Sequence, residues 1–276
     1  MVEILDEHVD ANRRYVIGLA DGSAVEAVLY RGDSLCISSQ VGCAVGCPFC
    51  ASGAKGFGRN LSLAELEGQV DIVRARVGAG AVARVTVSGV GEPLHNHRVV
   101  ADFVQGARER GLPVSITTSG GPLERLREWF DLPHNGISLS IHAGSEAVRA
   151  QTVPRGPALD PLFALLGQEV PKLSGSRRRK LALGYLLLAG RNDGEDEIAA
   201  FLARAVPLGL KVHLYRYNSV PNSTQAPTDG ARFQRVFEQM LAAGLDVRRS
   251  SQARIEANGG CGTLVALRVA SPHTRA

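Results

Sequence analysis

Hydrophobic positions follow two rhythms along this chain. In "RYVIGLADGSAVEAVLY" (14–30) they alternate on either side of Asp21-Gly22, the dipeptide of a tight hairpin turn, and predict a β-hairpin. In "SLAELEGQVDIVRARVG" (62–78), Leu63, Leu66, Val70, Val73 and Val77 recur at three- and four-residue steps. Ser62 and Glu65 there have the spacing of a capping box, so the segment predicts a helix with a marked start. Strand-like runs "LCISSQ", "ARVTVSG", "PVSITTSG", "GISLSIH", "KLALGYLLL" and "KVHLYRY" then alternate with helical patterns. Beyond the Ser62 helix these patterns lie near 97–110, 122–130, 158–170, 194–207 and 228–243. Strands alternating with helices imply a parallel sheet with right-handed crossovers and helices outside. Six such units fall short of the eight of a closed barrel, so the expected fold is α/β, a partial (β/α)6 barrel with one open side. The expected organisation is an N-terminal β-hairpin extension over 1–34, the barrel over 35–250 and a C-terminal segment over 251–276.

Composition narrows the setting. Hydrophobic content of 45% and charged content of 21% are ordinary for a globular chain. The apolar run "LALGYLLLAG" is too short to span a bilayer, and "MVEILDEHVDANRR" has no apolar signal core, so a cytoplasmic protein is expected. The net charge is +4, and all but four of the 31 basic residues are arginine, whose planar fork suits phosphate. This permits a nucleic-acid partner without requiring one. The basic run "SGSRRRK" (174–180) reads as a solvated loop or as an RNA contact.

Five cysteines, three of them as Cys43, Cys47 and Cys50, do not form a disulfide framework. Their C-x3-C-x2-C spacing can hold three corners of a [4Fe–4S] cube and leave one iron open to a small molecule. Zinc, with Cys36 or Cys261 completing the set, is the other reading. Barrel chemistry gathers at the C-terminal ends of strands. There this sequence places the cysteines, "GVGEP" (89–93), "TSG" (118–120), "SIH" (140–142) and "YNSVPNS" (217–223).

The C-x3-C-x-φ-C pattern, with Phe49 before the last cysteine, resembles the radical S-adenosylmethionine (SAM) superfamily, and "GEP" resembles its SAM-amino motif. Together "CISSQVGCAVGCPFCASGAKGFGRNLS", "GVGEPL", "TTSG", "SLSIHA", "RYNSVP" and "NGGCGTL" resemble the RNA adenine methyl synthases of the RlmN/Cfr type, over about residues 14–269. The resemblance implies a [4Fe–4S] cluster on Cys43, Cys47 and Cys50. It implies SAM contacts from Phe49, Gly91, Glu92, Ser119, Ser140, Ile141, His142 and Asn218. It also implies Cys261 as a methyl carrier, Cys36 as the thiol that resolves the substrate adduct by forming a disulfide, and Glu26 as proton acceptor. Read alone, Glu26 is equally an exposed charge on a half-buried strand. Ile141 stands where the family has Leu, and the proline that follows the family's Asn is absent after Asn218. The implied substrate is C2 of adenosine in ribosomal or transfer RNA, with a reducing partner such as flavodoxin or ferredoxin and action as a monomer. The family's small helical front domain is expected to be missing, since thirteen residues precede Arg14. That departure keeps a second substrate open, a small heteroaromatic or a nucleoside. A third reading is a metal-stabilised RNA-binding module without catalysis.

Overall fold

The alternating stretch around Asp21-Gly22 folds as expected, but a strand that periodicity did not reveal lies outside it. In this computed structural model, which describes residues 2–30, 33–53, 56–220 and 223–249, β1 (Glu3–Val9) pairs antiparallel with β2 (Asn12–Gly18). β2 in turn pairs antiparallel with β3 (Ala24–Tyr30). The β1 pairing slips between Ile4 and Asp6, a bulge that leaves Leu5 partly exposed. The sequence of β1, "EILDEHV", hides its alternation among charges. The predicted segment 251–276, with Cys261, lies outside the described residues.

β4 (Ser34–Ile37) pairs antiparallel with β3, so the extension continues directly into the barrel sheet. A short ribbon, β5 (Gln40–Gly42) against β6 (Phe57–Asn60), brackets the cysteine loop. Then follow α1 (Leu63–Val77), β7 (Arg84–Val87), α2 (His97–Glu109), β8 (Val114–Thr118), α3 (Leu123–Trp129) and β9 (Gly136–Ser140). After a short α4 (Glu146–Thr152) come α5 (Leu159–Glu169) and a single turn, α6 (Gly175–Arg178). The chain continues through β10 (Leu181–Leu187), α7 (Glu195–Ala205), β11 (Lys211–Arg216), α8 (Gly230–Ala242) and β12 (Val247–Arg249). The six expected parallel strands run in the order β4-β7-β8-β9-β10-β11, and β12 adds a seventh.

Local chemistry explains the segments. Ser62 and Glu65 close the predicted box: the Ser62 hydroxyl accepts the Glu65 N–H at 3.3 Å, and Glu65 accepts the Ser62 N–H at 2.8 Å. "SGSRRRK", expected as a loop, forms α6 because the Ser174 hydroxyl caps the Arg177 N–H at 3.4 Å. Arg177 then donates to the Phe130 carbonyl at 2.6 Å and fastens this turn to the end of α3.

Register sorts the sheet into two faces. One carries ladders such as Leu29–Leu35–Val85–Val114 and Leu139–Leu183–Val212–Val247. These residues are fully or nearly fully buried and join the helices in one apolar core. The other face carries Arg14–Val28–Cys36–Thr86–Ser115–Gly136, Thr117–Ser138–Ala182–Lys211 and Ser140–Gly184–His213–Arg248. Neighbours across a ladder point to the same side, so this hydroxyl-rich face lines the barrel interior. Glu26, two residues before Val28, belongs to it as well.

Candidate functional site

The cysteine loop is shaped by its backbone before its sulfurs. Gly42 has φ +73°, and a side-chain carbon there would lie 2.0 Å from the Gly56 carbonyl oxygen, so only glycine fits. That carbonyl accepts the Cys43 N–H at 3.0 Å, and the Cys47 carbonyl accepts the Cys50 N–H at 3.1 Å. Arg155 donates to the Ala44 carbonyl at 2.7 Å and fixes the outer side of the loop. Burial, then the neighbouring Cys50 and Glu92 charges, pushes the Cys43 thiol up to about 11. Burial and the other two cysteines raise Cys47 well above its usual value. The thiols thus oppose one another's ionisation and would ionise only around positive charge. Among the described residues no group of three His, Cys, Asp or Glu side chains is set to hold one metal ion. Three thiolates on one zinc would converge, whereas three on separate irons of a cube need not. The donor set fits the cube.

Glu92 faces this loop from the end of β7. Gly91, at φ +116°, packs so closely on Ser39 and Gln40 that a side-chain carbon would meet both within 2.8 Å. The Gln40 side-chain carbonyl accepts the Glu92 N–H at 2.8 Å, and the Ser38 hydroxyl accepts the Val90 N–H at 2.9 Å. The carboxylate is 3% exposed. One oxygen accepts the Leu94 N–H (3.0 Å) and the Thr118 hydroxyl (2.5 Å), and the other accepts the Ser119 N–H (2.7 Å). A carboxylate offers about four acceptor sites, so Oε2 retains room for one further donor. Beside it the Ser119 hydroxyl is buried with no partner. A buried, unpaired hydroxyl costs free energy, and a polar ligand here would remove that cost. Both features fit the ammonium and carboxylate ends of an amino acid such as SAM carries.

The next wall comes from the end of β9. Ser140 is half-buried, Ile141 fully buried, and His142 sits at φ +54°, a strained conformation for a non-glycine residue. Asn192, fully buried, holds it there by donating to the His142 carbonyl and the Leu186 carbonyl, each at 2.8 Å. Nδ1 of His142 accepts the Leu186 N–H at 3.0 Å, which leaves the proton on Nε2. Burial, then the Arg149 charge, lowers its pKa to about 3, so it is neutral. Phe49, half-buried between Cys47 and Cys50, stands edge-on to this ring at 5.3 Å. Asn218 is half-buried just beyond β11, at the same end of the sheet.

Cys36 and Glu26 approach from the interior face. The Cys36 sulfur lies 3.1 Å from the Ser88 hydroxyl, and both it and Glu26 are 2% exposed. The exposed-charge reading of Glu26 is therefore wrong: β3 is covered on both faces where it joins the barrel. Cys261 lies outside the described residues.

Sequence reasoning missed Arg149, Asn192 and Gln40, all buried and all bonded to site segments. Gln40 alone carried a signal, lying just ahead of the cysteines. Arg149 and Asn192 sit in stretches whose patterns are those of ordinary helix and loop.

Comparison with known proteins agrees with this geometry. Residues 37–202 match the model of the radical SAM superfamily. A dual-specificity RNA methyltransferase RlmN from Halorhodospira halophila is 34% identical over 271 residues, covering 93% of this chain and 73% of that protein. A probable RNA methyltransferase from Aromatoleum aromaticum is 32% identical, covering 98% of this chain and 77% of that one. Among solved structures, a radical SAM methyltransferase from Sphaerobacter thermophilus superposes with a TM-score of 0.82 at 26% identity, covering 95% of this chain and 80% of its own.

Proposed function

The chain belongs to the radical SAM superfamily and, within it, to the RNA methyltransferases of the RlmN type, and from that premise we propose that it methylates C2 of an adenosine in 23S ribosomal or transfer RNA, with Cys261 as methyl carrier. As a member it uses a [4Fe–4S] cluster and SAM. Cys43, Cys47 and Cys50 hold the cluster, and Glu92, Ser119, Ser140, Ile141, His142, Asn218 and the Phe49–Gly91 rim hold SAM. When bound, these groups supply a one-electron cleavage of SAM to a 5′-deoxyadenosyl radical.

The residues divide the remaining work. C2 of adenine is electron-poor and cannot displace a methyl group from a sulfonium, so a sulfur must take it first. The Cys261 thiolate forms an S–CH3 bond as the sulfonium C–S bond breaks. Loss of one hydrogen atom from that methyl leaves a carbon radical that adds to C2. The adduct gives up one electron, for which the cluster held by Cys43, Cys47 and Cys50 would be the acceptor, and the Cys36 thiolate attacks the Cys261 sulfur. An S–S bond forms and the S–C bond breaks. Glu26 takes the C2 proton and the methylene carbon gains one, completing the methyl. A flavodoxin- or ferredoxin-like donor supplies electrons, and the enzyme acts as a cytoplasmic monomer.

The observation that carries this reading is the placement of Cys36 and Glu26 together on the interior face, below the cluster loop. A second supports it. β12 runs parallel to β11, so Arg249 leaves the sheet at the end where the cysteine loop lies. Eleven residues lie between Arg249 and Cys261, and an extended chain spans about 3.3–3.6 Å per residue, so roughly 40 Å of chain is available to bring Cys261 to that end.

The test uses anaerobically reconstituted enzyme, methyl-labelled SAM and a panel of ribosomal RNA, transfer RNA and free nucleosides. Label should appear at C2 of adenosine in RNA, and Cys36→Ala should accumulate an RNA–protein adduct on denaturing gels. Product release by that variant at the normal rate would remove Cys36 from the scheme, and label only in nucleosides would remove RNA.

A further inference from the structure

Arg149, on α4, is 1% exposed, and its ionic environment is unusual. Its guanidinium donates to four carbonyl oxygens: Ser119 at 2.8 Å, Ser140 at 2.6 Å, Ile141 at 2.7 Å and Pro157 at 3.0 Å. No carboxylate among the described residues lies within ion-pair distance of it. Gly156 fits its neighbour closely, since a side-chain carbon there would stand 3.1 Å from Nη2. Burial draws the Arg149 pKa down to about 10, while the nearest anionic influences are Cys47, then Glu146 and Glu92. A buried cation without a counter-charge is costly. Four carbonyls take more N–H donors than a neutral amide side chain carries, so the fork explains an arginine but not what balances its charge. When loaded, three thiolates outweigh the charge of a [4Fe–4S] core and leave a net negative group near Arg149; the SAM carboxylate is a local anion balanced by its own ammonium.

We propose that Arg149 is a positioning residue for SAM and the buried counter-charge of the loaded site. Its fork ties the ends of β8 and β9 together through the main chain of Ser119, Ser140 and Ile141, so the SAM-facing hydroxyl of Ser119 and the neutral His142 keep a fixed separation. Its charge offsets the thiolate-held cluster below. This role rests on SAM binding between Ser119 and His142, as assigned above.

Two substitutions separate fork from charge. Arg149→Lys keeps the cation and loses the planar array; Arg149→Gln loses both. SAM affinity of the anaerobic holoenzyme, by equilibrium dialysis, should fall about tenfold or more in each, since several charge-assisted hydrogen bonds are lost. The cluster's midpoint potential, read by spectroscopic titration without SAM, should move negative in Arg149→Gln and stay at the wild-type value in Arg149→Lys, because removing a nearby cation disfavours adding an electron. A merely structural arginine would lower the melting temperature and leave that split absent. An unshifted potential in Arg149→Gln, or SAM affinity within about twofold of wild type in Arg149→Lys, overturns the proposal; the Lys variant decides alone if the Gln variant fails to fold. Unchanged SAM affinity in Ser119→Ala, beside a loss in Arg149→Lys, would instead move the assigned SAM position and leave Arg149's charge role standing.

Discussion

The two faces of the barrel sheet are made from the same strands, one residue apart, yet they obey different chemistry. Facing the helices, Leu35, Val85, Ile116, Leu139, Leu183 and Leu214 are fully or almost fully buried. Facing the interior, Cys36, Thr86, Ser115, Thr117, Ser138 and His213 alternate with them. The outer set makes contacts that need no partner beyond close packing. The inner set is polar, and groups near the mouth satisfy one another: Glu92, beyond β7, with Thr118 at the end of β8 and the Ser119 main chain, and Ser38 with Glu26 and Val90. A few, such as the Ser119 and Ser138 hydroxyls, remain unsatisfied. The strands thus carry stability on one side and reserve the other for chemistry, at some cost in unmade hydrogen bonds.

The sharpest way to break that division is to cut into each face. Leu139→Ala on the outer side should lower unfolding free energy by about 2–5 kcal/mol, the range for a buried leucine. SAM affinity of the folded fraction should stay unchanged, as denaturant titration and dialysis together would show. Ser119→Ala should do the reverse. SAM affinity should fall about tenfold, equivalent to about 1.4 kcal/mol, while stability moves by less than about 0.5 kcal/mol because the hydroxyl has no partner to lose. A large loss of stability there would mean that the inner face is structural after all.

A further effect concerns acid. His134, 4% exposed between β8 and β9 with an unpartnered Nδ1, has its pKa lowered to about 4 by burial and then by Lys180 and Arg177. Unfolded, it would bind a proton near pH 6.5. The unfolded state therefore holds more protons between those values, so the stability contribution is complete above pH 6.5 and falls as pH drops towards 4. His134→Leu should narrow the difference in denaturation midpoint between pH 7 and pH 4.5. An equal difference in both proteins would place the acid sensitivity elsewhere.

How much of this was legible depended on range. The Ser62 box, the Asp21-Gly22 turn and the strand runs themselves are local, and each could be read within a few residues. β12 has three residues, too few for a period, and β1 conceals its alternation among Glu3, Asp6, Glu7 and His8. α6 depends on one serine hydroxyl. Cys43, Cys47, Cys50 and Glu92 stood out in the sequence because their motifs fix residue type and spacing together. Arg149 was not: in "SEAVRAQT" it reads as a surface helix residue, and its partners lie at the ends of two strands and a distant turn. Glu26 could not be placed until pairing with β2 and β4 showed it covered.

The bulge in β1 bears on how such a molecule behaves among its own copies. A sheet that stops instead of closing leaves a border of unpaired main-chain groups, to which another chain could add a strand. Among the described residues one such border is β1, which is interrupted by the slip between Ile4 and Asp6 and carries acidic side chains. An incoming strand would lose register and meet repulsion within a few residues. That edge thus resists edge-to-edge pairing between copies of the chain.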